Sequence, residues 1–227
     1  MPPRGLEPAG LALVDKPRGP SSFAVVAQIR RRTGARTGHT GTLDPFASGL
    51  LLVLSGRATK LAPWLVGLDK RYRADVALTS RTSTGDPEGE TLEVHPAPDE
   101  EEFERRLAGL RGEVELPVPA ASAVKIGGER AYRLARRGVA VEMPRRRSTV
   151  YALDVIAYTG DSVTLHLRVS SGTYVRAIAD ALGGHCRTLR RTEIGPFAVE
   201  DALPPDAFEP ACLLAEDAVF ARLGCAR

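Results

Sequence analysis

The chain of 227 residues is 43% hydrophobic, enough to bury a core without disulfides or metals. Its three cysteines, Cys186, Cys212 and Cys225, form neither a CxxC pair nor a zinc-ligand spacing, so we expect neither a disulfide framework nor a metal site. The sequence predicts no leader peptide, and its longest apolar run, residues 50–54, is too short to cross a bilayer, so we expect a cytoplasmic protein with no membrane partner.

The charge distribution points to a class of partner. The net charge is only +3, but basic residues are concentrated in four clusters, at residues 30–32, 70–73, 145–147 and 187–191. Any one of these clusters is typical of a solvated surface. The four together, with acidic residues gathered elsewhere, favour a polyanion, and we expect nucleic acid.

The first third of the chain predicts a helix between two strands. Ser21 or Ser22 caps this helix, and Gly34 ends it. Its predicted inner face carries Phe23, Val26 and Ile29. The other elements predicted before residue 80 are a strand at 11–14, a buried strand at 49–54, a helix at 57–66 and a strand at 72–78.

The rest of the chain predicts an exposed excursion, then helices and a hairpin. Residues 79–98 are rich in Thr, Ser, Gly, Asp and Pro, so we expect them to lie outside the core. The later predicted elements are a helix at 99–110, a short helix ending at Gly138, hairpin strands at 149–158 and 162–170, and a helix at 175–182. Hairpins mixed with helices predict an α+β fold on a mostly antiparallel sheet.

The glycine-rich stretch from Gly38 to Gly56 carries the first candidate for chemistry. Within it, Asp44 precedes Pro45, which favours an extended conformation at Asp44. An Asp-Pro pair near glycines is also ordinary turn chemistry. A catalytic role is favoured by His39, five residues earlier, and by the buried strand that follows, which would hold a carboxylate rigidly.

The stretch SSGTYVRAIAD, residues 170–180, carries the second candidate, Arg176 in the first turn of a helix. Arg176 and Asp180 are four residues apart, so they could form a surface pair worth about 0.3–0.5 kcal/mol. The functional alternative is that Arg176 faces a buried carboxylate from another loop and keeps it ionised. The sequence leaves both alternatives open.

Tyr72 is the third candidate. An aromatic residue near the start of a strand is typical of core or cross-strand packing. Its neighbours Lys70, Arg71 and Arg73 are all cations, and a flat ring among cations is also a stacking platform for an extruded nucleobase.

Six blocks of the sequence carry a resemblance to one family. In chain order they are LVDKPRGPSS (13–22), GHTGTLDPFASGLL (38–51), KRYRA (70–74), SAVKIGGERAYRLARRG (122–138), SSGTYVRAIADALG (170–183) and LRRTEIGPF (189–197). Together they resemble the bacterial tRNA pseudouridine synthase B family, whose members convert uridine 55 in the T loop of tRNA to pseudouridine. The resemblance covers most of residues 11–200 and implies the pseudouridine synthase fold, a mixed, mostly antiparallel sheet flanked by helices and loops.

The resemblance also implies residue roles. Asp44 would be the catalytic aspartate, Arg176 the partner of its carboxylate, and Tyr72 the ring stacked on the target uracil. His39 would contact RNA, with a structural histidine as the alternative, and Lys16 would have a structural or phosphate-contacting role. The remaining implied RNA-binding residues are Lys70, Arg73 and Leu189, the last in the apolar wall of the pocket.

The implied reaction moves a base on its own ribose, so it requires no redox step, cofactor or metal. An ionised Asp44 could attack uracil C6, capture ribose C1′ or abstract the C2′ proton, and the sequence does not separate these routes. A second catalytic carboxylate is missing from the motifs, which argues against glycoside hydrolysis. The partner implied is the T stem-loop of tRNA, flipped open at the target base.

The resemblance divides the chain into a catalytic domain, residues 1–200, and a short C-terminal extension, residues 201–227. Many bacterial members carry a C-terminal RNA-binding domain of the PUA type, and we expect none in this extension. Residues 118–121 read Val-Pro-Ala-Ala, where members commonly carry paired prolines and a tyrosine. With no exposed apolar stripe in the sequence, we expect a monomer.

Two other function classes remain open at the level of sequence. A non-catalytic RNA-binding module or tRNA-folding chaperone could use the same basic surface. A metal-dependent nuclease could be built on His39, Asp44 and the histidines His95, His166 and His185, although no metal-ligand spacing supports it.

Overall fold

The computed structural model describes residues 7–137, 139 and 142–224, and the chain divides into two compact units. The first unit consists of Met1–Tyr72 and Arg190–Arg227, and the second of Arg73–Leu189.

Strands outnumber α-helices among the described residues. The strands are β1 (Gly10–Lys16), β2 (Thr37–His39), β3 (Ser48–Ser55), β4 (Lys70–Ala77), β5 (Ser80–Thr82), β6 (Thr91–Val94), β7 (Gly112–Pro117), β8 (Lys125–Ile126), β9 (Glu129–Arg130), β10 (Arg145–Tyr158), β11 (Ser162–Val169), β12 (His185–Ile194) and β13 (Phe197–Ala198). The α-helices are α1 (Ser22–Thr33), α2 (Ala62–Val66), α3 (Glu100–Ala108), α4 (Ala131–Arg136), α5 (Val175–Ala181) and α6 (Glu216–Arg222). Short 3-10 helices lie at Gly56–Leu61, Val199–Asp201 and Pro210–Cys212.

The sheet of the first unit has the order β1-β3-β12-β4, with β2 also on β3 and β13 also on β12. β1 and β2 run antiparallel to β3, whereas β12 pairs with β3 in parallel at Arg190↔Ser48. In the second unit the order is β4-β11-β10-β7, and β10 is antiparallel to both β11 and β7. The predicted α+β fold on a mixed, mostly antiparallel sheet is confirmed.

The apolar run in β3 is continuous because both faces of this strand are buried. Leu50, Leu52 and Leu54 pack into one cluster with Leu11 and Leu13 of β1. The alternate residues of β3, Leu51 and Val53, pack on the other face in a cluster that includes Val25 and Ile29 of α1. A strand covered on both faces carries apolar residues at every position, unlike a strand with one solvated face. β3 is therefore a rigid support for the loop that precedes it.

Helix α1 is capped as predicted, but one residue of its predicted inner face is wrong. The Ser21 hydroxyl accepts the Ala24 N–H at 3.1 Å, and Gly34 ends the helix with φ of +65°. Phe23, expected in the core, is 78% exposed. The buried stripe follows helical spacing from Ser22 through Val25, Val26 and Ile29 to Thr33, which places Phe23 on the solvent side.

Two further predictions need correction. The helix expected at 57–66 is a 3-10 helix followed by α2, because Pro63 near the start of α2 has no N–H to continue the hydrogen-bond ladder. The excursion at 79–98 contains the β5–β6 hairpin, and Asp86 within it is buried. The predicted end of α4 at Gly138 lies outside the described residues.

Residues beyond 200 pack into the first unit. The backbone of Leu214 exchanges two 2.9 Å hydrogen bonds with Leu11 of β1, and Val219 of α6 is buried in the same cluster. The division into residues 1–200 and 201–227 stays a prediction. Within the described ranges, no helix is both long and apolar enough to span a membrane.

Candidate active site

Asp44 lies at the start of a tight turn between β2 and β3. Its carbonyl accepts the Ala47 N–H at 3.1 Å, and Pro45 occupies the next position, where its fixed φ suits such a turn. The Asp44 side chain is half-buried, and β3 begins one residue after Ala47. The turn therefore holds a partly exposed carboxylate directly in front of a fully packed strand.

The residue before Asp44 is held by a buried serine. The Ser22 hydroxyl donates to the Leu43 carbonyl at 2.7 Å and accepts the Leu43 N–H at 2.8 Å. Both backbone polar groups of Leu43 are thus satisfied by one side chain from the first turn of α1.

The residues after Asp44 are held by the loop that follows β1. The Lys16 ammonium donates to the carbonyls of Pro17 at 2.8 Å, Pro20 at 2.9 Å and Pro45 at 3.4 Å. The Gly19 N–H donates to the Pro45 carbonyl at 2.8 Å. Lys16 is 0% exposed, so of the two roles expected for it the structural one fits, and its assignment as a phosphate contact is corrected.

A buried arginine supports the other end of the loop. Arg191 of β12 donates from Nε to the Leu50 carbonyl at 2.7 Å and from its terminal nitrogens to the carbonyls of Thr42 and Gly41, at 3.3 and 3.1 Å. Gly49 makes this approach possible, because its φ is +108° and a Cβ there would overlap the backbone of Arg191. Sequence reasoning did not single out Arg191, and only the parallel pairing of β12 with β3 identifies it.

His39 is the last residue of β2, three residues before Thr42. Its ring forms a hydrogen bond that orders the loop. Its Nδ1 accepts the Gly41 N–H at 3.2 Å, which requires that nitrogen to be unprotonated. Burial, together with the positive charge of Arg191, lowers the pKa of His39 below its ordinary value. The ring is therefore neutral at physiological pH.

The predicted RNA-binding lysine of β4 is also buried. The Lys70 ammonium donates to the Val66 carbonyl at 2.9 Å and to the Leu68 carbonyl, and the residue is 5% exposed. Burial and the charge of Arg191 lower the pKa of Lys70 to about 8. An ammonium group enclosed in this way does not reach a phosphate, so the assignment of Lys70 to RNA binding is corrected to a structural one.

The other predicted residues of β4 and β12 differ in exposure. Tyr72 points inward and is buried, as is Leu189, whereas Arg73 is exposed. Arg73 also contributes, after hydrogen bonds from Thr188 and Thr164, to the lowered pKa of Asp75. The RNA-binding role of Arg73 and Leu189 and the stacking role of Tyr72 stay predictions.

In the second unit, Arg176 lies in the first turn of α5 and is 3% exposed. Its terminal nitrogens donate to the carbonyls of Thr84 at 2.6 Å and Ala121 at 2.9 Å, and Nη1 lies 3.4 Å from the Asp86 carboxylate. Asp180, the alternative surface partner, pairs instead with Arg81 at 3.4 Å. Asp86 is thus a buried carboxylate from another loop that faces Arg176, and the assignment of Arg176 as the partner of Asp44 stays a prediction.

Asp86 is a residue that the sequence interpretation missed. Its carboxylate accepts the Thr84 hydroxyl at 2.5 Å and the Glu88 N–H at 3.0 Å, and Gly85 beside it has φ of +73°. The pattern Thr-Gly-Asp in a polar stretch was a signal for an Asx-type turn, but not for burial.

The histidines of the nuclease alternative are dispersed. His95 hydrogen-bonds through both ring nitrogens to the carbonyls of Pro96 and Gly183, and His185 bonds the Ser80 carbonyl. Within the described part of the chain, no three His, Cys, Asp or Glu side chains group as metal ligands.

The comparison with protein families decides between the remaining classes. Residues 30–175 match the family model described as TruB family pseudouridylate synthase, N-terminal domain. The chain belongs to the TruB family. The matched segment includes Asp44 and Tyr72 and stops one residue before Arg176.

Similar proteins agree with this membership. A tRNA pseudouridine synthase B of Mycobacterium sp. (strain KMS) is 43% identical over 211 residues, covering 87% of this chain and 71% of that protein. Another, of Chromohalobacter salexigens, is 44% identical over 206 residues, covering 87% of this chain and 67% of that protein.

Solved structures show the same fold. A Cbf5–Nop10–Gar1 complex contains a chain that matches with a TM-score of 0.64 and 29% identity, over 86% of this TruB-family chain and 51% of that one. A chain of an H/ACA ribonucleoprotein bound to a substrate RNA containing 2′-deoxyuridine matches with a TM-score of 0.63 and 26% identity, over 87% of this chain and 51% of that one.

Proposed function

We propose that this chain is a tRNA pseudouridine synthase that converts uridine 55 in the T loop to pseudouridine, with Asp44 as its catalytic carboxylate. The observation that carries the proposal is the support around the Asp44 turn. Ser22 holds the residue before it, Lys16 and Gly19 bind the carbonyl after it, and Arg191 holds the start of the loop. A preorganised catalytic group needs such support. The membership of the chain in the TruB family supports the choice of reaction.

The reaction balances without any added reagent. The bond from ribose C1′ to uracil N1 breaks, the base turns, and a bond from C1′ to C5 forms. The proton lost from C5 is matched by a proton gained at N1. One ionised carboxylate can serve as nucleophile toward C6 or C1′ or as base toward C2′, and no cofactor is required for any of these routes.

The other catalytic roles belong to Arg176 and Tyr72. We assign Arg176 as the partner of the Asp44 carboxylate, because its guanidinium is already desolvated and is held in place by the carbonyls of Thr84 and Ala121 and by the nearby Asp86 carboxylate. We assign Tyr72 as the ring that stacks on the extruded uracil. Extrusion costs a few kcal/mol, which stacking and phosphate contacts would offset.

The partner proposed is the T stem-loop of tRNA. Arg73 is an exposed cation and would bind phosphate. Leu189 would form an apolar wall for the flipped base. His39 holds the conformation of the Asp44 loop through its hydrogen bond to Gly41. We propose a monomeric, cytoplasmic enzyme.

The experiment that tests the function is tritium release from a tRNA transcript labelled at uridine C5, because C5 loses its hydrogen only when the base is reattached through that carbon. Wild type and Asp44→Asn are assayed side by side without metal or cofactor. We expect release by the wild type and none by Asp44→Asn. Tight tRNA binding without release by either would instead indicate a binding module, and cleavage of the tRNA strand in parallel samples supplemented with a divalent metal ion would favour the nuclease class.

A matched substrate pair tests the site of modification. A transcript with cytidine in place of uridine 55 should release no tritium, whereas an isolated T-arm hairpin with uridine 55 should support release. Release from the cytidine-55 transcript would place the target elsewhere.

A further inference from the structure

Phe23 is the most exposed large apolar side chain among the residues that the structure describes, at 78%. It lies on the solvent side of the first turn of α1, while its neighbours Ser22 and Val25 are buried. Leaving an aromatic ring in water forfeits the stabilisation that burial would give it. The position therefore invites a functional explanation.

The position of Phe23 is tied to the proposed catalytic turn. Ser22, the residue before it, makes both hydrogen bonds to the backbone of Leu43, the residue before Asp44. One serine thus connects the backbone that carries the exposed ring to the backbone that carries the carboxylate. The ring and the carboxylate are set in one rigid arrangement, each one residue from the Ser22–Leu43 contact.

A cation is tied to the other side of the same turn. Arg18 is exposed, and its Nε donates to the Phe46 carbonyl at 3.1 Å. A guanidinium has five N–H groups, and this contact uses the one on Nε. The terminal nitrogens form the fork that suits phosphate. The neighbouring Gly19 N–H fixes the Arg18 backbone by donating to Pro45.

We propose that Phe23 and Arg18 bind the RNA strand beside the target uridine, with the Phe23 ring stacked on an unpaired base and the Arg18 guanidinium on a phosphate. This inference rests on the proposed function and adds a binding subsite to it. An exposed ring and a cation that are both anchored to the same turn suit a single-stranded nucleic acid, since every base offers a face for stacking and every phosphate an anion. A stable protein interface buries about 500 Å² of surface or more on each side, far more than one ring offers.

The test compares kcat and KM for tritium release from the tRNA transcript. We expect Phe23→Ala to raise KM about tenfold with kcat within about twofold of wild type, and Phe23→Tyr, which keeps the ring, to restore KM. The control is Val94→Ala, which removes a 77% exposed apolar side chain from β6 and should leave KM unchanged.

Salt dependence separates the two contacts. Arg18→Ala should reduce the slope of log KM against log salt concentration by about 1, whereas Phe23→Ala should leave this slope unchanged. The proposal is overturned if Phe23→Ala keeps the wild-type KM in an active enzyme. A lower mass of Phe23→Ala in solution at unchanged KM would overturn it in favour of self-association. Inactive wild type would instead count against the proposed function itself.

Discussion

The guanidinium of Arg176 lies 3.4 Å from the carboxylate of Asp86, and both side chains are almost completely buried. The arginine belongs to α5 and the aspartate to the loop after β5, 90 residues earlier in the chain by their numbers. Because a buried charge is costly without an opposite charge, the pair joins these two segments of the second unit. It also fixes the position of the arginine proposed for catalysis.

Removing the carboxylate of this pair should destabilise the protein strongly. We expect Asp86→Ala to lower the free energy of unfolding by about 3 kcal/mol, because the guanidinium stays buried without that negative charge. The matched control is Asp180→Ala. Asp180 pairs with Arg81 at the same N–O distance of 3.4 Å, but both side chains are partly exposed to solvent. We expect this variant to lose less than about 1 kcal/mol of unfolding free energy. Urea unfolding of the three proteins measures both values, and equal losses would contradict the role given to Asp86.

The serine that holds Leu43 should affect catalysis more than its neighbour does. Ser22→Ala leaves the buried N–H and carbonyl of Leu43 without the hydroxyl, so we expect a loss of about 1–3 kcal/mol in stability and about tenfold in kcat. Ser21→Ala removes only the helix cap to Ala24 and should cost about 1 kcal/mol with kcat unchanged. Unfolding curves and single-turnover tritium release separate the two. If both variants lowered kcat alike, the Ser22–Leu43 contact would have no special role.

Gly49 should not tolerate a side chain. Its positive φ and the nearby backbone of Arg191 leave no room for a Cβ, so Gly49→Ala should cost about 4 kcal/mol or more and lower Tm by about 10 °C. Gly38→Ala is the control, since a Cβ there would meet no atom within 4 Å, and its Tm should stay within about 3 °C of wild type. Thermal unfolding followed by circular dichroism measures both. An unchanged Tm for Gly49→Ala would mean that the β3–β12 contact is not as close as described.

His39 should make stability depend on pH on the acid side of neutrality. Because its pKa is lowered in the folded protein, the unfolded chain takes up a proton first as the pH falls below about 6.5. The free energy of unfolding should therefore be fully retained above that pH and fall between it and the lowered folded pKa, by at most about 1.4 kcal/mol per pH unit.

The variant His39→Asn isolates this contribution. The asparagine amide oxygen can accept the Gly41 N–H in place of Nδ1 but does not titrate. Unfolding measured from pH 5.0 to 7.5 should show a smaller decline for the variant than for wild type. The other histidines are common to both proteins, so the difference between the two curves reports His39, and parallel curves would contradict the prediction.

Much of the fold followed from local patterns. The strands around residues 11–14, 49–54 and 72–78, the capped helix after Ser21 and the hairpin at 160 are all present, since each depends on spacing and turn chemistry within about a dozen residues. The inward direction of Phe23 was wrong for the same reason. Helical spacing alone allows either Val25 or Phe23 to face the core. The packing of α1 on β3 buries Val25 and leaves Phe23 in solvent.

The sequence by itself determined the α+β class, the turn that carries Asp44 and the family to which the chain belongs. Only the tertiary structure showed that Lys16, Lys70 and Arg191 are buried cations bound to backbone carbonyls and that Asp86 faces Arg176. The physical reason is that a charged side chain has the same sequence signature in water and in the interior. Its burial depends on carbonyls and carboxylates supplied by segments that are distant along the chain, and those meet only when the sheet forms.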